Sequence, residues 1–298
     1  MATSLPRLRA LAISARTFRR LALANALMLI VVVATGTTVR LTGSGLGCEH
    51  WPGCQPGQPL PTHGFHAVVE FSNRIVAGIT IVVTLATFLA SLLTATPVWV
   101  RWLAAGTFLG TLAQAPLGAI TVYYHLDPWL VGSHFLLSLV VLTMGVLVAI
   151  EAYELRGDVV PARIRRLALL VAGVCGVLIV TGTLATAAGP HSGSVAVPRV
   201  GSFQPAIWLH VRATALFAIS FGLLVVWLVV RRSPHLQAAL VVFGLLAVQM
   251  AVGEIQYRTK LPWWLVLVHV TLSAAVWAAM TAFVALLWRP RGPNRMAQ

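Results

Sequence analysis

A chain of 298 residues that is 58% hydrophobic and 9% charged, with a mean hydropathy of +0.87, falls outside the soluble globular class, in which about a quarter of residues are charged. A net charge of +14 would point to nucleic acid in a soluble protein. Here the basic residues cluster at the ends of long apolar runs, so the excess reads as membrane topology and a nucleic-acid role is set aside.

Eight runs are long enough to cross a hydrocarbon core of about 30 Å: 21–39, 67–93, 99–122, 129–150, 167–187, 207–230, 236–255 and 263–288. They predict an all-α membrane protein of eight transmembrane helices. Residues 1–20 are a basic arm at the inner leaflet. The first run has a basic lead-in like a signal peptide, but it is too long and has no convincing cleavage site, so it reads as an uncleaved span. With both termini in the cytoplasm, fifteen Lys and Arg residues fall inside and six outside, in the sense of the positive-inside rule. The expected location is the cell membrane.

Span 1 ends in Thr-Gly-Thr-Thr-Val-Arg (35–40), small residues suited to close helix packing. The outer loop, 41–65, is rich in Gly and Pro and carries Cys48 and Cys54. In an outward loop a disulfide is favoured over a metal site or two free thiols. Span 2 opens with His66, Glu70 and Asn73 at i, i+4 and i+7, one helical face, followed by Arg74. A carboxylate one turn inside a span must be neutral or paired. Glu70 therefore either pairs locally with Arg74 or serves chemistry as a base, nucleophile or charge stabiliser. The inner linker 156–166 is the midpoint, dividing a four-helix bundle over 21–155 from a second over 167–290, ahead of a tail at 291–298. Cys175 in span 5 has no partner and reads as packing. Glu254 reads as a structural pair with Arg258.

The two halves look duplicated. Gln114 and Gly118 in span 3 answer Gln249 and Gly253 in span 7, and His134 and Ser138 in span 4 answer His269 and Ser273 in span 8, all 135 residues apart. Thr-Gly at 35–36 resembles Thr-Gly at 181–182, and His210 opens span 6 much as the stripe from His66 opens span 2. Four spans per half make the halves parallel repeats, related by a pseudo-twofold along the membrane normal. His66, His134, His210 and His269 then gather towards one side of the membrane, where facing histidines of a bundle can ligate a haem iron from opposite faces. The alternative for each is a hydrogen bond to a neighbouring helix. His50, His63, His125, His191 and His235 read as solvated.

The segments Thr42–Cys48, Trp51-Pro52, Val69-Glu70-Phe71-Ser72 with Arg74, Gln114 with Leu117-Gly118, and the pair His134 and His269 resemble the haem A synthase family. The resemblance implies oxidation of the C8 methyl of haem O to a formyl group, giving haem A for terminal oxidases. It implies that His210 and His269 ligate a haem b cofactor in the C-terminal half and that His134 ligates the substrate iron. It implies that Glu70 is the essential carboxylate, with Asn73 and Arg74 behind it, and that Cys48 and Cys54 are the family's outer-loop pair. Expected partners are haem O, a haem O synthase, an electron donor, membrane lipid and a second copy of the chain. Where the family frequently has histidine, this chain has Asn73. Either His66 supplies that contact, or the substrate iron keeps an open face. Two other classes remain. A di-haem b-type electron-transfer cytochrome leaves Glu70 idle, and a parallel-repeat transporter lacks the acids and broken helices it would need at mid-membrane.

Overall fold

The computed structural model describes residues 13–51, 53–55, 57–58, 60–61, 64–191, 197 and 199–289. Most of the basic arm (1–12), the tail after 289, Pro52 and His63 lie outside the described residues.

The described residues form eight helices: α1 (Ala15–Leu41), α2 (Phe65–Leu92), α3 (Val98–Tyr123), α4 (Pro128–Ala152), α5 (Ala162–Ala188), α6 (Phe203–Val230), α7 (Leu236–Arg258) and α8 (Trp263–Trp288). Each is long and apolar enough to cross a membrane, and helices close their own backbone hydrogen bonds, as a bilayer demands. The chain is a multi-pass, all-α membrane protein. Most helices start ahead of the expected runs, because hydropathy marks the lipid core and not the flanking turns. Thus α1 opens at Ala15, capped by the Ser14 hydroxyl accepting from the Thr17 N–H, and takes in the last six residues assigned to the arm. Likewise α5 absorbs residues 162–166 of the expected linker.

Buried threonines inside the spans are satisfied within their own helices. The hydroxyls of Thr80, Thr84, Thr87, Thr107 and Thr111 are buried and donate back to carbonyls three or four residues earlier. Pro116 lies within α3, two residues after Gln114, where it removes one rung of the helix ladder.

Helices α1 to α4 pack as a closed ring of neighbours, α5 to α8 as another, and the rings meet through α1, α4, α5 and α8. They share one apolar core, which runs from Leu29 and Val33 through Leu142 and Val146 to Phe217, Phe221, Met280 and Phe283. The junction is also hydrogen-bonded. The Trp277 indole N–H on α8 donates to the Leu139 carbonyl (3.1 Å) and the Thr143 hydroxyl (2.8 Å) on α4. Arg40, closing α1, donates to the carbonyls of Thr186 (3.1 Å), in the last turn of α5, and His191 (3.0 Å), just after it.

At the end of the bundle opposite the Cys48–Cys54 loop, Glu151 is buried against Arg156 and Arg289, and the Arg289 guanidinium lies 3.9 Å over the Trp99 ring. His235 is 3% exposed, not solvated, because its Nε2 donates to the Asp158 carbonyl at 2.9 Å beneath Gly157. His191 is likewise engaged, donating to the Leu261 carbonyl at 2.8 Å. His50 and His125 are exposed as expected. Glu254 pairs with Arg258 at 2.5 Å, also as expected.

Candidate functional site

The outer loop leaves α1 through a tight glycine turn. Gly43 has φ 67°, its N–H bonds the Arg40 carbonyl, and the Ser44 N–H reaches back to Val39 at 2.8 Å, a Schellman stop. The turn folds the loop over the first turns of α2. Gly47 crosses the α2 backbone so closely that a Cβ there would stand 2.5 Å from the carbonyl group of His66, so no side chain fits without displacing the loop. Cys48 and Cys54 form a disulfide whose sulfurs are buried with Ala67 and Phe71.

Each member of the α2 stripe meets a partner on α1 or this loop. His66 is exposed and its Nδ1 shares a hydrogen bond with the Ser44 hydroxyl at 2.9 Å. Glu70 is 4% exposed. Its Oε2 accepts from the Cys48 N–H at 2.9 Å and its Oε1 from Arg74 at 2.5 Å. Arg74 also donates to the carbonyls of His50 (2.7 Å) and Gly53 (2.5 Å). The local Glu70–Arg74 pair is therefore present, and the same two side chains fasten both sides of the disulfide loop to α2. Asn73 Oδ1 accepts from the Thr35 hydroxyl at 2.7 Å.

The repeated residues at offset 135 make the same contacts. Gln114 Nε2 donates to the His134 carbonyl at 3.1 Å, and Gln249 Nε2 to the His269 carbonyl at 2.9 Å. Gly118 faces the His134 ring and Gly253 the His269 ring. In both places the glutamine Oε1 and the histidine Nδ1 are buried without a hydrogen-bond partner. Buried polar atoms left unmet cost about 1–3 kcal/mol each, and the same two atoms are left unmet in both places, where a bound group could complete the polar environment.

In the C-terminal ring, His210 on α6 and His269 on α8 face one another with ring centroids 6.3 Å apart and planes at 79°. Two imidazoles on opposite faces of one metal ion have centroids about 6.2 Å apart, given a metal–nitrogen bond of about 2.0 Å and about 1.1 Å from nitrogen to ring centre on each side. The Thr181 hydroxyl gives its proton to the Leu178 carbonyl (2.8 Å), so towards His210 Nδ1 (3.3 Å) it acts as acceptor. Nδ1 then carries the hydrogen and Nε2 keeps its lone pair for a metal. Among the described residues no cluster of three or more His, Cys, Asp or Glu could hold a bare metal ion. A haem would bring its own nitrogen ligands, and His210 and His269 would hold it between them. The residues fit a haem.

In the N-terminal ring the station next to a Thr-Gly pair is held by a different residue. Thr35-Gly36 on α1 abuts Asn73, as Thr181-Gly182 on α5 abuts His210. His66 lies seven residues from Asn73, about 10 Å nearer the helix mouth at 1.5 Å per residue. Sequence reading matched His210 to the His66 stripe as a whole and missed this finer correspondence, for which the Thr-Gly pairs were the available signal.

The chain is 29% identical over 139 residues to a Heme A synthase of Bacillus pumilus, covering 46% of this chain and 45% of that protein. It is 32% identical over 147 residues to a Heme A synthase of Symbiobacterium thermophilum, covering 45% and 44%. It is also 29% identical to a Protoheme IX farnesyltransferase of Thermus thermophilus over a stretch covering 90% of this chain and 48% of that protein. The chain thus spans about half the length of the curated relatives it matches. The sequence profile of the COX15-CtaA family, cytochrome oxidase assembly protein, matches residues 19–281. With that match over most of its length, the chain belongs to the COX15-CtaA haem A synthase family.

Proposed function

We propose that this protein is a haem A synthase, oxidising the C8 methyl of haem O to a formyl group for use in terminal oxidases. The observation that carries the reading is the facing pair His210 and His269 at 6.3 Å, together with the equivalent environment built around His134 in the other ring. In this reading the rings are parallel repeats related by a pseudo-twofold along the membrane normal, and the Cys48–Cys54 loop lies outside the cell membrane with both termini in the cytoplasm. The excess of basic residues at the other end supports that orientation. The Thermus relative, named for protohaem farnesylation, matches this chain over 48% of its own length. A relative of that name supports a farnesylated haem as substrate and a haem O synthase as partner.

Roles follow from position. His210 and His269 would hold a resident haem b, which when bound supplies a one-electron redox centre. His134 ligates the iron of the substrate haem O and so sets its depth in the N-terminal ring. Turning methyl into formyl with the oxygen drawn from water (R–CH3 + H2O → R–CHO + 4 H+ + 4 e−) releases four electrons and four protons, so an external electron acceptor and a proton acceptor are both required. Glu70, one turn from Asn73 on the same face of α2, is that proton acceptor and stabilises charge at the reacting edge. Arg74 orients it, and the disulfide loop tied to both excludes water from the mouth of the ring.

The test is co-expression with a source of haem O, followed by extraction and chromatography of the membrane haems. Wild type accumulates haem A, and Glu70→Gln lowers it by a factor of about 10²–10⁴, the usual worth of a positioned proton acceptor. Haem A absent from the wild type, with protohaem filling both rings, would replace this reading with an electron-transfer cytochrome.

A further inference from the structure

We propose that the substrate iron is gripped on one side only, by His134, and that Asn73 stands over its open face as a hydrogen-bond donor to a small diatomic ligand such as dioxygen. The inference rests on the assignment of His134 to the substrate iron made above.

Three observations carry it. First, Asn73 occupies the place in the N-terminal ring that His210 occupies in the other, each set against a Thr-Gly pair of the preceding helix. Secondly, the glycine is retained where the side chain no longer needs it. A Cβ on Gly182 would stand 2.9 Å from the His210 ring, whereas one on Gly36 would stand 3.8 Å from the Asn73 amide. The cradle is cut for an imidazole, and the shorter asparagine leaves room between itself and whatever His134 holds. Thirdly, Thr35 fixes the amide oxygen at 2.7 Å, and the amide nitrogen makes no hydrogen bond among the described residues, so a donor remains to serve a ligand. Asparagine is a poor ligand for haem iron but a good donor to an oxygen atom bound there. His66 does not fill the gap. It sits about 10 Å nearer the mouth, exposed and bonded to Ser44.

The two rings thereby acquire different chemistry from one repeated plan. The bis-histidine site is closed to added ligands and suits electron transfer, while the mono-histidine site admits them.

The test uses the purified full-length protein loaded with haem O, with haem content per chain measured first and carbon monoxide as the probe of the reduced protein. Two haems per chain, one of them lost in His134→Ala, establish the underlying assignment. The proposal then expects one carbon monoxide bound per two haems. Asn73→His should abolish that binding and turn the ferric spectrum fully low-spin, since Gly36 leaves space for the ring. Asn73→Ala should keep the stoichiometry but release carbon monoxide about tenfold faster, the worth of one hydrogen bond. His66→Ala should change neither. A wild type with two haems that binds no carbon monoxide, and gains binding in His66→Ala, would make His66 the second ligand and overturn the proposal. An unchanged spectrum in Asn73→His would overturn it equally. A single haem per chain that is insensitive to His134→Ala would overturn the assignment of His134, and this proposal with it.

Discussion

Adding one methyl group at Gly253 should unseat the resident haem, while the same change at Gly118 should be tolerated. A Cβ at Gly253 would meet His269 Cε1 at 2.9 Å, about 0.5 Å inside the ordinary contact range, and the ring would have to retreat by that amount. Metal–nitrogen bonds tolerate about 0.2 Å, so if His210 and His269 hold one iron as proposed, with rings 6.3 Å apart, they could not keep both bonds after such a shift. Overpacking of this kind costs about 1–3 kcal/mol, or roughly a fivefold to hundredfold loss of haem affinity. At Gly118 the corresponding approach to His134 is 3.5 Å, ordinary van der Waals contact. The assay is the ferric spectrum and haem content of each purified variant. Gly253→Ala should lose the low-spin bis-histidine signature or the haem itself, and Gly118→Ala should retain the C-terminal haem unchanged. A Gly253→Ala protein with the wild-type spectrum and full haem b would refute the claim that the His269 ring position is set by this contact.

Other outcomes follow from the same contacts. Trp277→Phe removes two hydrogen bonds between α8 and α4. It should cost about 1–3 kcal/mol at 0.5–1.5 kcal/mol per bond, read as a lower Tm in detergent, and an unchanged Tm would show the junction to be held by apolar packing alone. Replacing Cys48 and Cys54 together by Ser should speed proteolysis within the loop that Glu70 and Arg74 fasten, while leaving the His210–His269 haem spectrum intact. A loop as resistant as wild type would show that the Arg74 and Glu70 contacts suffice. Gly47→Ala should displace the loop from α2 and lower haem A formation at least as far as the cysteine pair does. Activity equal to wild type would detach the loop from the site.

The eight helices were legible because each carries an apolar run of membrane length. Their starts were not, since the basic turn at the beginning of α1 is helical without being hydrophobic. The 135-residue offset gave Gln114, His134, Gln249 and His269, and the structure gives all four the same bonds. The equivalence of Asn73 with His210 was hidden because those two lie 137 residues apart and their Thr-Gly partners 146 apart. Loops of different length had shifted the register from one helix to the next. Contacts between the rings could not be read either. Nothing local distinguishes Trp277 or Arg40 from the many Trp and Arg residues that anchor helices at membrane surfaces. The burial of His235 likewise depends on a carbonyl 77 residues away.

The central claim is that the two rings hold two different haems, one resident and one a substrate. It is tested most directly by chromatography of the haems extracted from purified protein, taken from cells that supply haem O. Wild type should yield haem b together with haem O or haem A, and His134→Ala should yield haem b alone. Haem b as the sole pigment of the wild type, or the same mixture from both proteins, would contradict the account.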